Sequence, residues 1–127
     1  MSKKPFDLIA RIRSFKHAFR GIGVTFRTQH NSWIHLLAIF AVIGLGVYTD
    51  LNLQEWIFIS LAIGLVLIAE LANTAIEFLG DAISNEYDEK LKNAKDIGAG
   101  AVLIAAIIAV IIACLIFIPK LIPLLKF

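Results

Sequence analysis

The chain has 127 residues and is 59% hydrophobic, with a mean hydropathy of +0.83. Soluble domains carry about 45–50% apolar residues, so the composition excludes an ordinary water-soluble globule and marks one small integral membrane domain. The net charge of +2 decides little, but seven of the twelve Lys and Arg lie in the first 27 residues, and a single cysteine, Cys114, excludes an intrachain disulfide.

Lys3 and Lys4 are followed by an Arg-studded segment, not an apolar one, so the N-terminus is expected to be retained rather than removed as a signal peptide. Pro5 suits the first turn of a helix over 6–27. Leu8, Ile12, Phe15, Phe19, Ile22 and Phe26 recur at helical spacing and form one stripe, while Arg13, Lys16, Arg20 and Arg27 lie elsewhere on the wheel. Such a basic amphipathic helix is expected to lie in the membrane interface, its cations near lipid headgroups and not on nucleic acid. Gly21 and Gly23 are expected to loosen its last turn.

Residues 28–49 hold no Asp, Glu, Lys or Arg over 22 residues, about 33 Å of helix and enough to cross a bilayer. Trp33 and Tyr48 suit its two interfaces. A short turn, 50–55, leads to a second segment over 56–80. A loop over 81–96 follows, then a third uncharged segment over 97–118, which Pro119 is expected to end. Cys114 reads as a small packing residue within it. The basic residues favour the N-terminal arm and the 81–96 loop over the 50–55 turn, which places both in the cytoplasm by the positive-inside rule.

The second segment carries the chemistry. Glu70, Asn73 and Glu77 fall within about 60° on one helix face. Carboxylates are costly in hydrocarbon and usually have a task there. With Trp56 at the outer interface, Glu70 lies about 21 Å deeper and about 9 Å beneath the cytoplasmic surface of a core about 30 Å thick. Glu77 lies at about 31 Å, in contact with cytoplasmic water. A lipid hydroxyl from the membrane and a charged donor from the cytoplasm can meet on that stripe. Glu70 suits a general base, and Glu77 suits Mg²⁺ carried by a nucleotide. The plainer alternative makes Asn73 and Thr74 interhelical glue, with both glutamates paired to cations.

The 81–96 loop offers Glu86, Tyr87, Asp88 and Glu89, then Lys95 and Asp96. Lys95 suits phosphate oxygens; Asp96 equally suits a cap for the third helix. Gly98 and Gly100 allow close backbone approach beside them. No GxxxxGK[ST] cradle and no kinase Gly-rich loop is present, so a nucleotide site must be of another kind.

The string Glu70-Leu71-Ala72-Asn73-Thr74-Ala75-Ile76-Glu77-Phe78-Leu79-Gly80-Asp81, then Glu86-Tyr87 and Ala94-Lys95-Asp96-Ile97-Gly98-Ala99-Gly100, resembles the prokaryotic diacylglycerol kinase family. Ser14-Phe15-Lys16, Gly21, and Asn31 with His35 support it, and the resemblance covers about residues 10–118. It implies an all-α membrane lipid kinase of the bacterial inner membrane. The expected fold has three transmembrane helices, a surface helix and a homotrimeric assembly with sites between subunits. Its substrates would be MgATP and a lipid alcohol. The matching positions imply Glu70 as catalytic base, Asn73 as its support, and Glu77 as a metal ligand. Glu86, Tyr87, Asp88, Lys95 and Asp96 would line the nucleotide site, with Arg13 and His17 approaching it from the surface helix. One position departs: the family often has a second metal-sharing glutamate where this chain has Gln29, which can ligate Mg²⁺ but supplies no charge. Diacylglycerol and undecaprenol both remain open as the lipid. Two other readings stand beside this one. A small transporter or proton-relay subunit would need polar residues continuing outward, and residues 56–69 offer only Ser60. A catalytically inactive family member is kept open by Gln29.

Overall fold

The computed structural model describes residues 7–125 and is all-helical. Lys3, Lys4 and Pro5, which figure in the sequence analysis, lie outside the described residues. Four helices follow in order: α1 (Leu8–Thr28), α2 (His30–Tyr48), α3 (Leu53–Ile83) and α4 (Glu89–Leu121), with a 3₁₀ turn at Ile122–Leu125. Three of them, α2, α3 and α4, are long and apolar enough to cross a membrane.

The N-terminus of α1 is capped by Asp7, whose side chain accepts from the Ile9 N–H at 2.9 Å. The helix runs unbroken through Gly21 and Gly23, contrary to the expected loosening. One extended residue, Gln29, separates α1 from α2, at once C-cap of the first and N-cap of the second. Leu8, Ile12, Phe15 and Phe19 are all more than 60% exposed.

At its far end α2 closes in a Schellman motif. The Leu51 N–H reaches the Gly46 carbonyl at 3.1 Å and the Asp50 N–H reaches that of Val47 at 3.3 Å. Asp50 takes the left-handed conformation (φ 50°) that this turn requires and that a short polar side chain tolerates. Gly46 is needed there: a Cβ would sit 2.8 Å from the Trp56 ring and 3.0 Å from Leu51. The turn leads directly into α3 through a capping box between Asn52 and Glu55, so this helix starts three residues before Trp56. Leu51, Ile59 and Phe117 form the apolar core beside this turn, with Val42, Leu45 and Trp56 against them.

Helices α3 and α4 form an antiparallel hairpin across residues 84–88. The expected 81–96 loop is therefore shorter. Asp88, not Asp96, caps α4, accepting from the N–H groups of Lys90 (2.8 Å) and Leu91 (3.0 Å). The helix outruns its apolar segment by two turns, because capping and polar faces sustain it beyond the hydrophobic stretch. Pro119 does not end it either. Proline lacks one N–H but adopts helical φ, and two further residues follow before the Ile122 N–H closes on Ile118. Cys114 is exposed rather than packed within the chain.

Candidate functional site

Among the described residues, the buried polar side chains are Thr25, Ser32, Glu70, Asn73 and Thr74. Three of these lie on α3, and Ser32 opens α2 beside them. Glu70 is 4% exposed. His35 Nε2 lies 2.9 Å from its Oε1, and Ser32 Oγ lies 3.5 Å from its Oε2. The first distance is a full hydrogen bond; the second is at the weak limit. Thr74 turns its hydroxyl back to the Glu70 carbonyl at 2.8 Å, which leaves the carboxylate to α2.

Two turns along, Glu77 is also gripped from the start of α2. Gln29 Nε2 donates to its Oε2 in a short contact, and Asn73 Nδ2 donates to its Oε1 at 3.1 Å. Glu70 and Glu77 therefore face the same neighbour. The oxygen of the Asn73 amide, Oδ1, is buried and has no hydrogen-bond partner among the described residues. It lies against Gly98 of α4, where a Cβ would come within 2.5 Å of it. Gly98 is what lets α4 approach the stripe; Gly100 faces open space and plays no such part.

A cavity of about 70 Å³ adjoins Glu70. Ser32, His35 and Glu70 form its polar wall; Ile22, Phe26, Leu67 and Leu71 form the apolar one. A hydroxyl at the head of an apolar chain matches that lining. Arrangements of this kind recur in ligand sites, where a few placed polar groups sit in apolar walls.

A second cluster gathers at the 84–88 turn. Glu86, Tyr87, Asp88, Lys92, Lys95 and Asp96 line one open cavity with Asp81 and Asn85. Lys95 reaches Asp81 at 2.5 Å across the hairpin, passing over Gly80, where a Cβ would meet its Cε at 2.7 Å. Asp96 pairs with Lys92 one turn back, at 2.8 Å. The structure thus brings Glu86, Tyr87, Asp88, Lys95 and Asp96 together. His17 instead lines a separate groove between α1 and α3 with Arg20, Thr74 and Phe78. Arg13 is exposed on α1 and lines neither cavity.

The sequence reading missed the partners of Glu70. His35 and Ser32 sit in the uncharged α2 segment, where Gln29, Ser32 and His35 recur every third residue, a faint signal because His30 and Asn31 lie between them. Asp81 as the partner of Lys95 was missed too, since no local spacing links them.

Among the described residues no group of three or more His, Cys, Asp or Glu is placed to cage a metal. The Glu77 carboxylate beside the Gln29 amide is compatible with Mg²⁺, an ion usually held by one or two carboxylates with substrate phosphates and water completing its shell.

Three membrane-length helices, with one carboxylate buried and another half-buried on one face of α3, define a small helical membrane protein. The family model for prokaryotic diacylglycerol kinase matches residues 16–117. The undecaprenol kinase of Bacillus subtilis is 46% identical over 109 residues, covering 86% of this chain and 89% of its own. The diacylglycerol kinase of Synechocystis is 40% identical over 112 residues, covering 87% and 64% respectively. That of Escherichia coli is 31% identical over 108 residues, covering 80% and 88%. The chain belongs to the prokaryotic diacylglycerol kinase family. It is a bacterial membrane lipid kinase, with ATP as the phosphoryl donor.

Proposed function

We propose that this kinase moves the γ-phosphoryl group of ATP to the primary hydroxyl of undecaprenol, with Glu70 as the general base. The observation that carries the reading is the buried Glu70 carboxylate beside an apolar-walled cavity, two turns from a half-buried carboxylate at Glu77. The lipid hydroxyl enters the cavity and gives its proton to Glu70. The hydroxyl oxygen forms the new bond to phosphorus, the bond between phosphorus and the β,γ-bridging oxygen breaks, and ADP leaves. Asn73 orients the stripe.

Glu77 and Gln29 would hold Mg²⁺ with the nucleotide phosphates, Gln29 turning its amide oxygen to the ion. Bound there, the ion would offset phosphate charge. Glu86, Tyr87, Asp88, Lys95 and Asp96 form the nucleotide cluster, with Lys95 exchanging Asp81 for phosphate oxygens. Arg13 and His17 approach it only if α1 of another subunit contributes, which fits a homotrimer with shared sites. The exposed apolar stripe of α1 fits an amphipathic helix at the membrane surface, with its N-terminus and the 84–88 turn on the cytoplasmic side.

The choice of lipid follows the name of the 46% identical relative. Diacylglycerol is the second reading, favoured by the names of the relatives at 40% and 31% identity. Presenting both lipids at equal mole fraction in one detergent micelle decides between them. Undecaprenol is expected to be phosphorylated at least about tenfold faster, a difference of about 1.4 kcal/mol in the transition state. Equal rates, or faster turnover of diacylglycerol, would overturn the assignment.

A further inference from the structure

We infer that His35 is the positioning residue for Glu70: its imidazole anchors one carboxylate oxygen so that the other is presented to the lipid hydroxyl. The inference rests on Glu70 being the proton acceptor. Its basis is the asymmetry of the contacts. Among the described residues, Oε1 meets His35 Nε2 at 2.9 Å, whereas Oε2 has only the long 3.5 Å contact from Ser32. An incoming hydroxyl can displace the weak contact without disturbing the strong one. Among the described residues, the strong contact to this carboxylate is the one that His35 makes.

A carboxylate that is 4% exposed needs such a donor, because a buried charge without a hydrogen bond is costly. A neutral imidazole donates from one nitrogen only, so the bond to Glu70 fixes the tautomer with the proton on Nε2. The ring also forms part of the cavity wall beside Glu70, and on its other side it ends an apolar trough lined by Ala38, Ile59, Ala62 and Ala106. It therefore separates the reacting oxygen from the middle of the bundle. A general base held in a wrong rotamer loses most of its effect, since proton transfer needs hydrogen-bond reach.

The test uses three variants in the full chain with lipid substrate in micelles. H35L removes the donor, H35Q places an N–H near the position of Nε2, and H35N carries the same amide on a stem too short to reach. The expected outcome is a kcat about 10²-fold lower for H35L and H35N, KM for MgATP within about twofold of wild type, and at least about tenfold recovery in H35Q. Adding H35L to E70Q should cause no further loss, because His35 acts through Glu70. Thermal unfolding of H35N beside H35Q controls for folding, since the two share one functional group. The inference falls if H35L turns over within about threefold of wild type, or if H35Q is as impaired as H35N. An active E70Q would remove the Glu70 reading and this inference with it. An inactive E70Q beside a fully active H35L would remove this inference alone.

Discussion

At the 49–52 end of the bundle the groups that close the helices have firm partners. Asn52 and Glu55 satisfy each other's backbone, Glu55 pairs with Lys120 at 3.1 Å, and the Schellman bonds close α2 over a core of Leu51, Ile59 and Phe117. At the opposite end, polar side chains are buried and only partly satisfied. Among the described residues, Asn73 Oδ1 has no hydrogen-bond partner, and Ser32 reaches Glu70 only at 3.5 Å. Unpaired buried polar atoms cost about 1–3 kcal/mol each. One end is thus arranged for holding helices together, whereas the other tolerates that cost where substrates must displace contacts.

The largest expected effect falls on the loosely satisfied end. E70Q keeps the size of the side chain and removes the proton acceptor, so turnover should drop by about 10²- to 10⁴-fold. Nucleotide binding, measured by titration with an ATP analogue, should persist, because the cluster at the 84–88 turn is untouched. Undiminished turnover would refute the contrast outright.

Two glycines give a matched pair at the two ends. Both G98A and G46A add a methyl group into occupied space, 2.5 Å from Asn73 Oδ1 in one case and 2.8 Å from the Trp56 ring in the other. Each should lower stability by about 1–3 kcal/mol, read as a drop in unfolding temperature in detergent. Only G98A should also lower the kcat of folded protein, by about tenfold, since it displaces Asn73 within the polar stripe. Equal kcat in the two variants would show that the ends do not differ in this way.

The same contrast explains what could be read from the sequence. Uncharged runs located α2 and α4, and a mostly apolar run located α3, because exclusion of charge from hydrocarbon is a local, additive constraint. Helical periodicity alone put Glu70, Asn73 and Glu77 on one face. Helix ends were harder. Asp88 and Asp96 are both plausible caps by composition, and only the hairpin geometry selects Asp88. Pro119 looked terminal, yet near a C-terminus the loss of one N–H is easily absorbed. The partners of the stripe were least legible. His35 on Glu70, Gln29 on Glu77 and Lys95 on Asp81 join residues 35, 48 and 14 positions apart, where no local pattern reports contact.

The smallest effect probes the neutral side chain of Gln29 at the polar end. Gln29 now bridges to Glu77 through its amide nitrogen. In Q29E that donor becomes a second carboxylate facing the first, and like charges at contact repel unless a cation lies between them. Without metal the variant should therefore unfold at a lower temperature than wild type. Added Mg²⁺ should restore it, because an ion bound only by the folded state stabilises by mass action. The Mg²⁺ concentration for half-maximal kinase activity should fall by about three- to tenfold, as the charge of the ligand set rises. Wild type should show a weaker response of unfolding temperature to Mg²⁺, since an amide gains less than a carboxylate from the ion. If Q29E and wild type respond alike to Mg²⁺ and to chelator, Gln29 and Glu77 do not share a metal, and their contact joins α2 to α3 just as Glu55 and Lys120 join α3 to α4 at the other end.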